Sequence, residues 1–145
     1  MARRDSDEAY VIDLCDEALG QEASRQHRFA FLVGDPGKHG RCVRLPVDAY
    51  YASLNLVIEF MERQHSAEVP FFDKPNRLTV SGVHRGRQRA LYDERRRLML
   101  PMHGITLVTI CSTELRGRGR KLARDRDHDL RKVQEKLSAF IGRAS

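Results

Sequence analysis

The sequence predicts an α/β protein whose elements follow the order helix, three-strand meander, helix, strand, helix. Three short apolar runs within 27–61 are typical of strands, whereas 7–19, 82–100 and 124–142 carry their apolar residues at helical spacing. A strand–helix–strand unit that follows a meander implies a mixed four-stranded sheet with a right-handed crossover. We therefore expect an αβββαβ core that is extended by a C-terminal helix.

The first half of the chain supplies a helix and a two-strand hairpin. The helix is predicted over 7–19, where acids occupy the first turn and Gly20 supplies a stop. Strands are predicted over 27–34 and 41–51, joined by the turn cluster DPGKHG at 35–40. That cluster is superficially similar to a phosphate loop, but it lacks the Lys-Ser/Thr ending and a following helix, so it predicts a hairpin turn.

A third strand is predicted over 55–61, after a tight turn at Ser53 and Leu54. With that turn, opposed residues have numbers that sum to 107, as Asp48 and Glu59 do. Their Cβ atoms should lie roughly 5 Å apart, and two like charges that close are destabilising unless a cation lies between them. Mg²⁺ is commonly held by one or two carboxylates plus water and phosphate oxygens. The pair therefore predicts a metal site on a central, buried strand, with two solvated carboxylates as the alternative.

The second half of the chain begins with a long irregular connection over 66–80, which contains two prolines. A helix is predicted over 82–100 and closed by Gly104, and an apolar strand follows over 105–111. The last helix is predicted over 124–142. The apolar positions that define the two helices are Ala90, Leu91, Leu98 and Met99 in the first, and Leu130, Val133, Leu137 and Phe140 in the last.

Length and composition bound the class of protein. We expect a single domain over 1–145, with a core over 7–113 and a basic linker and C-terminal helix over 114–145. No apolar run approaches the ~20 residues of a spanning helix, and the N-terminal residues lack a signal-peptide core, so we expect a cytoplasmic protein without a membrane partner. The cysteines are odd in number and far apart, which predicts buried free thiols. They are Cys15, Cys42 and Cys111.

Arginine is the strongest compositional signal, since it outnumbers lysine by 21 to 5 in a chain of net charge +6. Its guanidinium matches phosphate oxygens bidentately, which suits a nucleic-acid partner, although a GC-rich coding sequence would raise the arginine content whatever the function. On the second helix, phosphate contact competes with a solvated face on which Asp93 and Glu94 pair locally. In the basic segment 116–120, nonspecific backbone binding competes with a plain linker. The candidate phosphate contacts are Arg85, Arg89, Arg96, Arg116, Arg118 and Arg120.

The joint spacing of several residues resembles a known nuclease pattern. A strand Asp is followed by an Ile-Glu pair, by Gln-His five and six residues beyond the Glu, by Asp-x-x-Arg, by a Leu four residues on and by a Gly four after that. These positions are Asp48, Ile58, Glu59, Gln64, His65, Asp93, Arg96, Leu100 and Gly104. Over about 7–113 the chain thus resembles the PD-(D/E)XK nuclease superfamily, and within it the small very-short-patch-repair-like endonuclease branch.

The resemblance implies a restriction-endonuclease-like fold and metal-dependent hydrolysis of phosphodiester bonds, in DNA rather than RNA. Asp48 and Glu59 carry over as ligands of Mg²⁺, which Mn²⁺ can replace. With the metal polarising the phosphate and activating a water, we expect Gln64 to orient that water and His65 to act as acid or base or to bind a phosphate. A strand-end histidine bonded to backbone is the alternative for His65. The pattern's Lys, two residues after the Glu, is here Met61.

Other functions compete with a repair- or restriction-type endonuclease. Met61 can neither orient water nor bind a metal well, so a catalytically impaired nucleic-acid-binding module of the same fold is the first alternative. An interaction protein in which Asp48 and Glu59 are merely surface charges is the second. Glu17 would either join the metal shell or lie on a solvated face. The place of Arg96 in the nuclease pattern implies a structural or substrate contact near the sheet. The last helix would pack on its own core or form a dimer contact, so a monomer and a homodimer both remain open.

Overall fold

A computed structural model describes residues 6–62, 85–115, 117–118 and 121–142, with the backbone alone for residues 85, 117, 118 and 121. Within these ranges the helices are α1 (Asp7–Leu19), α2 (Arg85–Met102) and α3 (Arg126–Lys136). The strands are β1 (Ser24–Pro36), β2 (Cys42–Tyr51), β3 (Leu56–Met61), β4 (Thr106–Cys111), β5 (Gly117–Arg118) and β6 (Lys121–Leu122).

Four strands form one mixed sheet in the order β1-β2-β3-β4. Strand β2 pairs antiparallel with β3, and β3 pairs parallel with β4 from Leu56↔Thr106 to Met61↔Cys111. A parallel pair needs a crossover connection, and the connection between β3 and β4 contains α2. The predicted α/β class, with its αβββαβ order and C-terminal helix, is therefore confirmed.

Strand β3 is the buried strand of this sheet. Its first three residues, Leu56, Val57 and Ile58, are 0% exposed, as expected for a strand with a neighbour on each side. The central and buried position predicted for the strand that carries Glu59 is confirmed.

The hairpin between β2 and β3 has the predicted register. A 3-10 turn, Ala52–Leu54, leads into Asn55, whose φ of +49° is the left-handed conformation that asparagine tolerates better than most residues. The opposed pairs then run from Tyr51↔Leu56 to Ala49↔Ile58, so their numbers sum to 107. Every side chain on the hairpin therefore lies on the face that the alternating sequence assigns to it.

Helix α1 has the predicted bounds because both of its ends are capped locally. The Ser6 hydroxyl accepts a hydrogen bond from the Ala9 N–H at 3.0 Å, which satisfies one of the unpaired donors of the first turn. Gly20, with a φ of +71°, donates its N–H to the carbonyl of Asp16 at 2.8 Å. A residue in this left-handed conformation ends the helix, and glycine adopts it without a Cβ clash.

The chain forms two compact units. The first contains the described residues of 1–27, 47–63 and 106–145, and the second contains those of 28–46 and 64–105. In the first unit, α1 and α3 contribute to one apolar core with one face of β2 and β3. Fully buried members of that core include Val11, Leu14, Ile58, Ile110 and Leu137. The prediction of a single domain stays a prediction.

In the second unit, α2 and β1 are joined by polar contacts. A Cβ on Gly34 would lie 2.8 Å from the Tyr92 hydroxyl, so a larger residue there would have to displace the Tyr92 side chain. That hydroxyl accepts the N–H of Asp35 at 2.9 Å. Arg95 donates to the carbonyl of Val33 at 2.9 Å and forms an ion pair with Asp35 at 3.1 Å.

The apolar stripe predicted for α2 is wrong at three of its four positions, because Ala90, Leu91 and Leu98 are all exposed. Leu91 is 45% exposed and Leu98 is 52% exposed, whereas Leu100 is 0% exposed. The residues of α2 that contact β1 include Tyr92 and Arg95, which are polar. Long polar side chains can bury their stems and bond backbone groups at their tips, so the packed face of a helix need not be its most apolar face.

The C-terminal helix is shorter than predicted. Its core-facing positions Val133 and Leu137 are 1% and 0% exposed, which confirms the apolar stripe, but 137–142 form turns. In the predicted basic linker, β5 pairs antiparallel with β6, so the chain is regular at 117–118 and 121–122. Among the helices that the structure describes, none has the length and apolar character needed to cross a membrane.

The three cysteines are free thiols, as predicted, but they differ in burial. Cys15 is buried in α1, Cys111 is half-buried at the end of β4, and Cys42 is exposed. The prediction that all three are buried is therefore wrong. Cys42 is the first residue of β2, directly after the hairpin turn, and residues 41–44 are all exposed. The alternation of apolar residues along a strand does not show at which residue the strand becomes buried.

Candidate functional site

The two predicted metal ligands, Asp48 on β2 and Glu59 on β3, are both half-buried. The Asp48 N–H donates to Glu59 Oε2 at 2.7 Å, and the Phe60 N–H donates to Asp48 Oδ2 at 2.8 Å. Each carboxylate thus reaches across to the backbone of the neighbouring strand. The two acidic residues therefore lie next to each other across the hairpin, as the sum of their residue numbers predicts.

These contacts begin where the regular register of the hairpin ends. The opposed Cα pairs extend as far as Ala49↔Ile58, and the next position along each strand is Asp48 and Glu59. There, carboxylate oxygens accept the backbone N–H groups of Asp48 and Phe60. An N–H that donates to a carboxylate stabilises its charged form. These two donors therefore offset part of the repulsion between the carboxylates, which a bound cation alone was expected to relieve.

The pair projects from the face of the sheet opposite to the core of the first unit. Ala49 and Ile58, the preceding opposed pair, belong to that core, and side chains alternate along a strand, so Asp48 and Glu59 lie on the other face. On that face the next pair toward the turn is Tyr50↔Val57, and Val57 is 0% exposed. The carboxylates are therefore placed at the border of a covered apolar surface.

Two carboxylates alone are a small ligand set. Among the described residues, no group of three or more His, Cys, Asp or Glu side chains is arranged to hold a metal ion. Two carboxylates fit Mg²⁺, which keeps several waters and commonly binds one or two carboxylates together with substrate phosphate. They do not fit a structural zinc ion, which takes four N or S ligands.

Arg96, for which a structural or a substrate contact was expected, makes structural bonds in this structure. Its Nε donates to the carbonyl of Pro46 at 3.0 Å, its Nη1 pairs with Asp93 at 2.9 Å, and its side chain is 15% exposed. Pro46 lies two residues before Asp48 in β2, so this arginine fixes the backbone that leads to the site. The Asp-x-x-Arg part of the sequence pattern is therefore an i,i+3 ion pair in the second unit.

The structure describes the other candidate arginines to different extents. Arg89 is exposed on α2, as expected for a surface cation. Arg97 forms an i,i+3 pair with Glu94, so the predicted local pairing on this helix is confirmed there. For Arg85 and Arg118 only the backbone is described. The predicted site residues Gln64, His65, Arg116 and Arg120 lie outside the described residues.

Two further residues, Glu17 and Met61, were considered for the metal site in the sequence analysis. Glu17 is exposed and forms an ion pair with Arg126, which agrees with a solvated face rather than a place in a metal shell. Met61 is half-buried at the end of β3, where it pairs with Cys111 of β4. A methionine at this position supplies no cation to the site.

A cavity in the described part of the chain lies elsewhere in the first unit. It has a volume of about 510 Å³. The charged side chains that line it form ion pairs with one another, Lys136 with Glu114 at 2.6 Å and Lys132 with Glu135 at 3.9 Å. Its other lining residues are Ile110, Thr113, Leu115 and Val133. No described residue of the predicted site lines it, so it is not the candidate site.

Sequence patterns missed two buried polar contacts. The Tyr51 hydroxyl donates to Asp16 Oδ1 at 2.6 Å, and burial, followed by this hydrogen bond, raises the pKa of the phenol. Asp129, which is 0% exposed, accepts the Tyr10 hydroxyl at 2.6 Å and contacts His128 Nδ1 at 3.0 Å. The two contacts made by tyrosine hydroxyls join residues far apart in the chain, so local spacing in the sequence does not predict them.

Comparisons with protein-family models, with curated proteins and with solved structures give no match for this chain. The resemblance to a nuclease pattern therefore stays an expectation, and the geometry of Asp48 and Glu59 is the observation on which a function can be proposed.

Proposed function

We propose that this protein is a metal-dependent nuclease that hydrolyses phosphodiester bonds in DNA. The observation that supports this proposal most is that Asp48 and Glu59 lie next to each other and that each carboxylate accepts a backbone N–H from the other's strand. Paired carboxylates on a rigid hairpin are a usual foundation of a Mg²⁺ site that acts on phosphate.

In this proposal, the two carboxylates bind the metal and hold it against the scissile phosphate. A bound Mg²⁺ or Mn²⁺ would supply Lewis-acid polarisation of the phosphate and lower the pKa of a coordinated water. The backbone donors at Asp48 and Phe60 fix the orientation of the carboxylates before the metal arrives. This pre-organisation lowers the cost of assembling the site.

Other residues complete the proposed site. Gln64 orients the attacking water, and His65 acts as acid or base or binds a phosphate oxygen. Arg96 positions β2 through the Pro46 carbonyl rather than contacting DNA. The proposed contacts with the DNA backbone are Arg85, Arg89, Arg116, Arg118 and Arg120.

The alternative is a nucleic-acid-binding module of the same architecture that has lost turnover. Met61 favours it, because a side chain without charge or hydrogen-bond donors stands where the nuclease pattern has Lys. In both cases we propose a cytoplasmic protein, as a monomer or a homodimer. Three free thiols support a reducing compartment.

Cleavage of supercoiled plasmid and of single-stranded DNA tests the proposal. The wild type should cut with Mg²⁺ or Mn²⁺ and stop with a chelator. Asp48→Asn and Glu59→Gln should each lose at least about 100-fold in rate, since removing a charge-stabilising group from a site commonly costs that much. Matched controls are Asp13→Asn, whose side chain is 67% exposed, and Glu135→Gln, at 71%. Equal cutting by the site variants and the wild type would mean a contaminating nuclease.

Met61→Lys separates the two candidates. If the missing Lys limits turnover, this variant should cut faster than the wild type while binding the metal equally well. If it binds DNA and metal but still does not cut, the binding module is the better account.

A further inference from the structure

The end of the β1–β2 hairpin is a concentrated basic surface. Residues 36–44 contain Lys38, Arg41 and Arg44, together with His39, and no acidic residue. All four side chains are exposed. We call residues 36–44 the basic hairpin.

The nearest acids in sequence do not neutralise this charge. Asp35, just before the basic hairpin, forms an ion pair with Arg95 at 3.1 Å, and its backbone N–H donates to the Tyr92 hydroxyl at 2.9 Å. Asp48, on the other side, contacts the Phe60 N–H. In the described part of the chain, no ion pair joins Lys38, Arg41 or Arg44 to a carboxylate.

The basic hairpin is held in shape by its turn. The Gly37 N–H donates to the Arg41 carbonyl at 2.8 Å, and the Gly40 N–H donates to the Gly37 carbonyl at 3.0 Å. Gly40 has a φ of +78°, which a side-chain-bearing residue would adopt only with strain. The cations are therefore presented by an ordered two-stranded ribbon.

The apolar residue of the ribbon is exposed too. Val43 is 65% exposed, and Cys42 beside it is exposed as a free thiol. A β-branched residue in a strand is usually buried on at least one side. Both residues lie among the unpaired cations, so a partner that binds the basic hairpin would also cover them.

We propose that the basic hairpin is a contact surface for the phosphate backbone of a nucleic acid, in addition to the arginines named for the proposed nuclease site. This inference deepens the proposed function and rests on it for the choice of partner. Guanidinium groups match phosphate oxygens bidentately, and a two-stranded β-ribbon fits the major groove of DNA, which is about 12 Å wide. An anionic membrane would also attract these cations, and the test therefore includes it.

The salt dependence of binding gives the first test. The triple variant Lys38→Gln/Arg41→Gln/Arg44→Gln is compared with the matched triple variant Arg131→Gln/Lys132→Gln/Lys136→Gln, which removes the same charge from α3. Binding of a labelled DNA duplex is followed by fluorescence anisotropy between about 50 and 200 mM salt, with chelator present so that nothing is cut. Circular dichroism establishes that both variants are folded.

Each phosphate contact contributes about 0.9 to the slope of log affinity against log salt, so the hairpin variant should lose roughly 2–3 from that slope. Its affinity should fall at least about tenfold near 100 mM salt, and the α3 variant should change much less. If both variants lose the same affinity and slope, the effect is one of net charge, and the proposed surface is wrong.

Cys42 gives a second, local test in the unmodified protein. Duplex DNA should slow its alkylation by uncharged N-ethylmaleimide severalfold, and the half-buried Cys111 should be unaffected. Site-resolved mass spectrometry measures both rates. Protection by anionic lipid vesicles and not by DNA would overturn the proposal in favour of a membrane.

These outcomes are separable from those of the nuclease proposal. DNA binding is measured without metal, so it does not depend on cutting. If the hairpin variant has a smaller salt slope and the wild type does not cut DNA, the basic hairpin is supported and only the nuclease proposal is wrong. If the wild type cuts DNA with metal and the hairpin variant has an unchanged salt slope, the nuclease proposal stands and the proposed role of the basic hairpin is wrong.

Discussion

Replacing Asp48 by Ala and, separately, by Asn distinguishes the structural role of its carboxylate from its proposed role as a ligand. Both substitutions remove the negative charge. Only the Asn side chain keeps an oxygen that can accept the Phe60 N–H, which now donates to Asp48 Oδ2 at 2.8 Å. The two variants should therefore differ in stability while both fail to bind metal.

The size of the difference follows from this contact. A hydrogen bond to a charged group contributes about 1.5–3 kcal/mol, and the half-burial of Asp48 places the expected loss at the lower end, about 1–2 kcal/mol for Asp48→Ala. Asp48→Asn should lose less than about half of that, because a neutral acceptor remains. With a urea m-value of about 2 kcal/mol/M, the Ala variant should unfold at a urea concentration roughly 0.5–1 M lower than the wild type.

Urea unfolding followed by circular dichroism measures these midpoints, in buffer with chelator so that no metal contributes. The Glu59→Ala and Glu59→Gln pair repeats the test, because Glu59 Oε2 accepts the Asp48 N–H at 2.7 Å. If the Ala and Asn variants of Asp48 unfold at the same urea concentration, the bond to Phe60 does not stabilise the hairpin end. The pre-organisation of the site would then have no support.

Three further predictions concern the rest of the described structure. Tyr51→Phe should cost about 1.5–3 kcal/mol in urea unfolding, because Asp16 loses a buried donor; an unchanged midpoint would contradict this. Leu98→Lys should change stability by less than about 0.5 kcal/mol, whereas Leu100→Ala should cost about 2–5 kcal/mol, since one is 52% and the other 0% exposed; similar losses would contradict the exposed face of α2. Burial raises the pKa of the Cys15 thiol from 9.0 to about 12, so the folded state keeps this proton while the unfolded state releases it. The free energy of unfolding should therefore fall between about pH 9 and pH 12, and Cys15→Ala should show a shallower fall; equal slopes in the two proteins would contradict it.

The parts of the fold that were predicted correctly depend on local chemistry. The bounds of α1 follow from apolar spacing, from Ser6 and from Gly20, all within one short segment. The hairpin register follows from alternation around Ser53 and Leu54, and it brings Asp48 and Glu59 together without any long-range information. Local sequence therefore sufficed for the geometry of the candidate pair.

The missed features depend on contacts between distant segments. The exposure of Leu91 and the packing of Arg95 depend on what β1 presents to α2, and hydrophobic spacing does not report it. Likewise, Asp129 is buried because Tyr10 supplies a donor from the other end of the chain. At the site, the backbone bonds to the carboxylates depend on where the register ends, which residue types alone do not specify.

Calorimetric titration of the metal-free protein with Mn²⁺ tests the central claim, that Asp48 and Glu59 together hold a divalent cation. We expect saturable binding by the wild type and by the Asp13→Asn control, and loss of binding in both Asp48→Asn and Glu59→Gln. Absence of binding by the wild type, or equal binding by all four proteins, would contradict it.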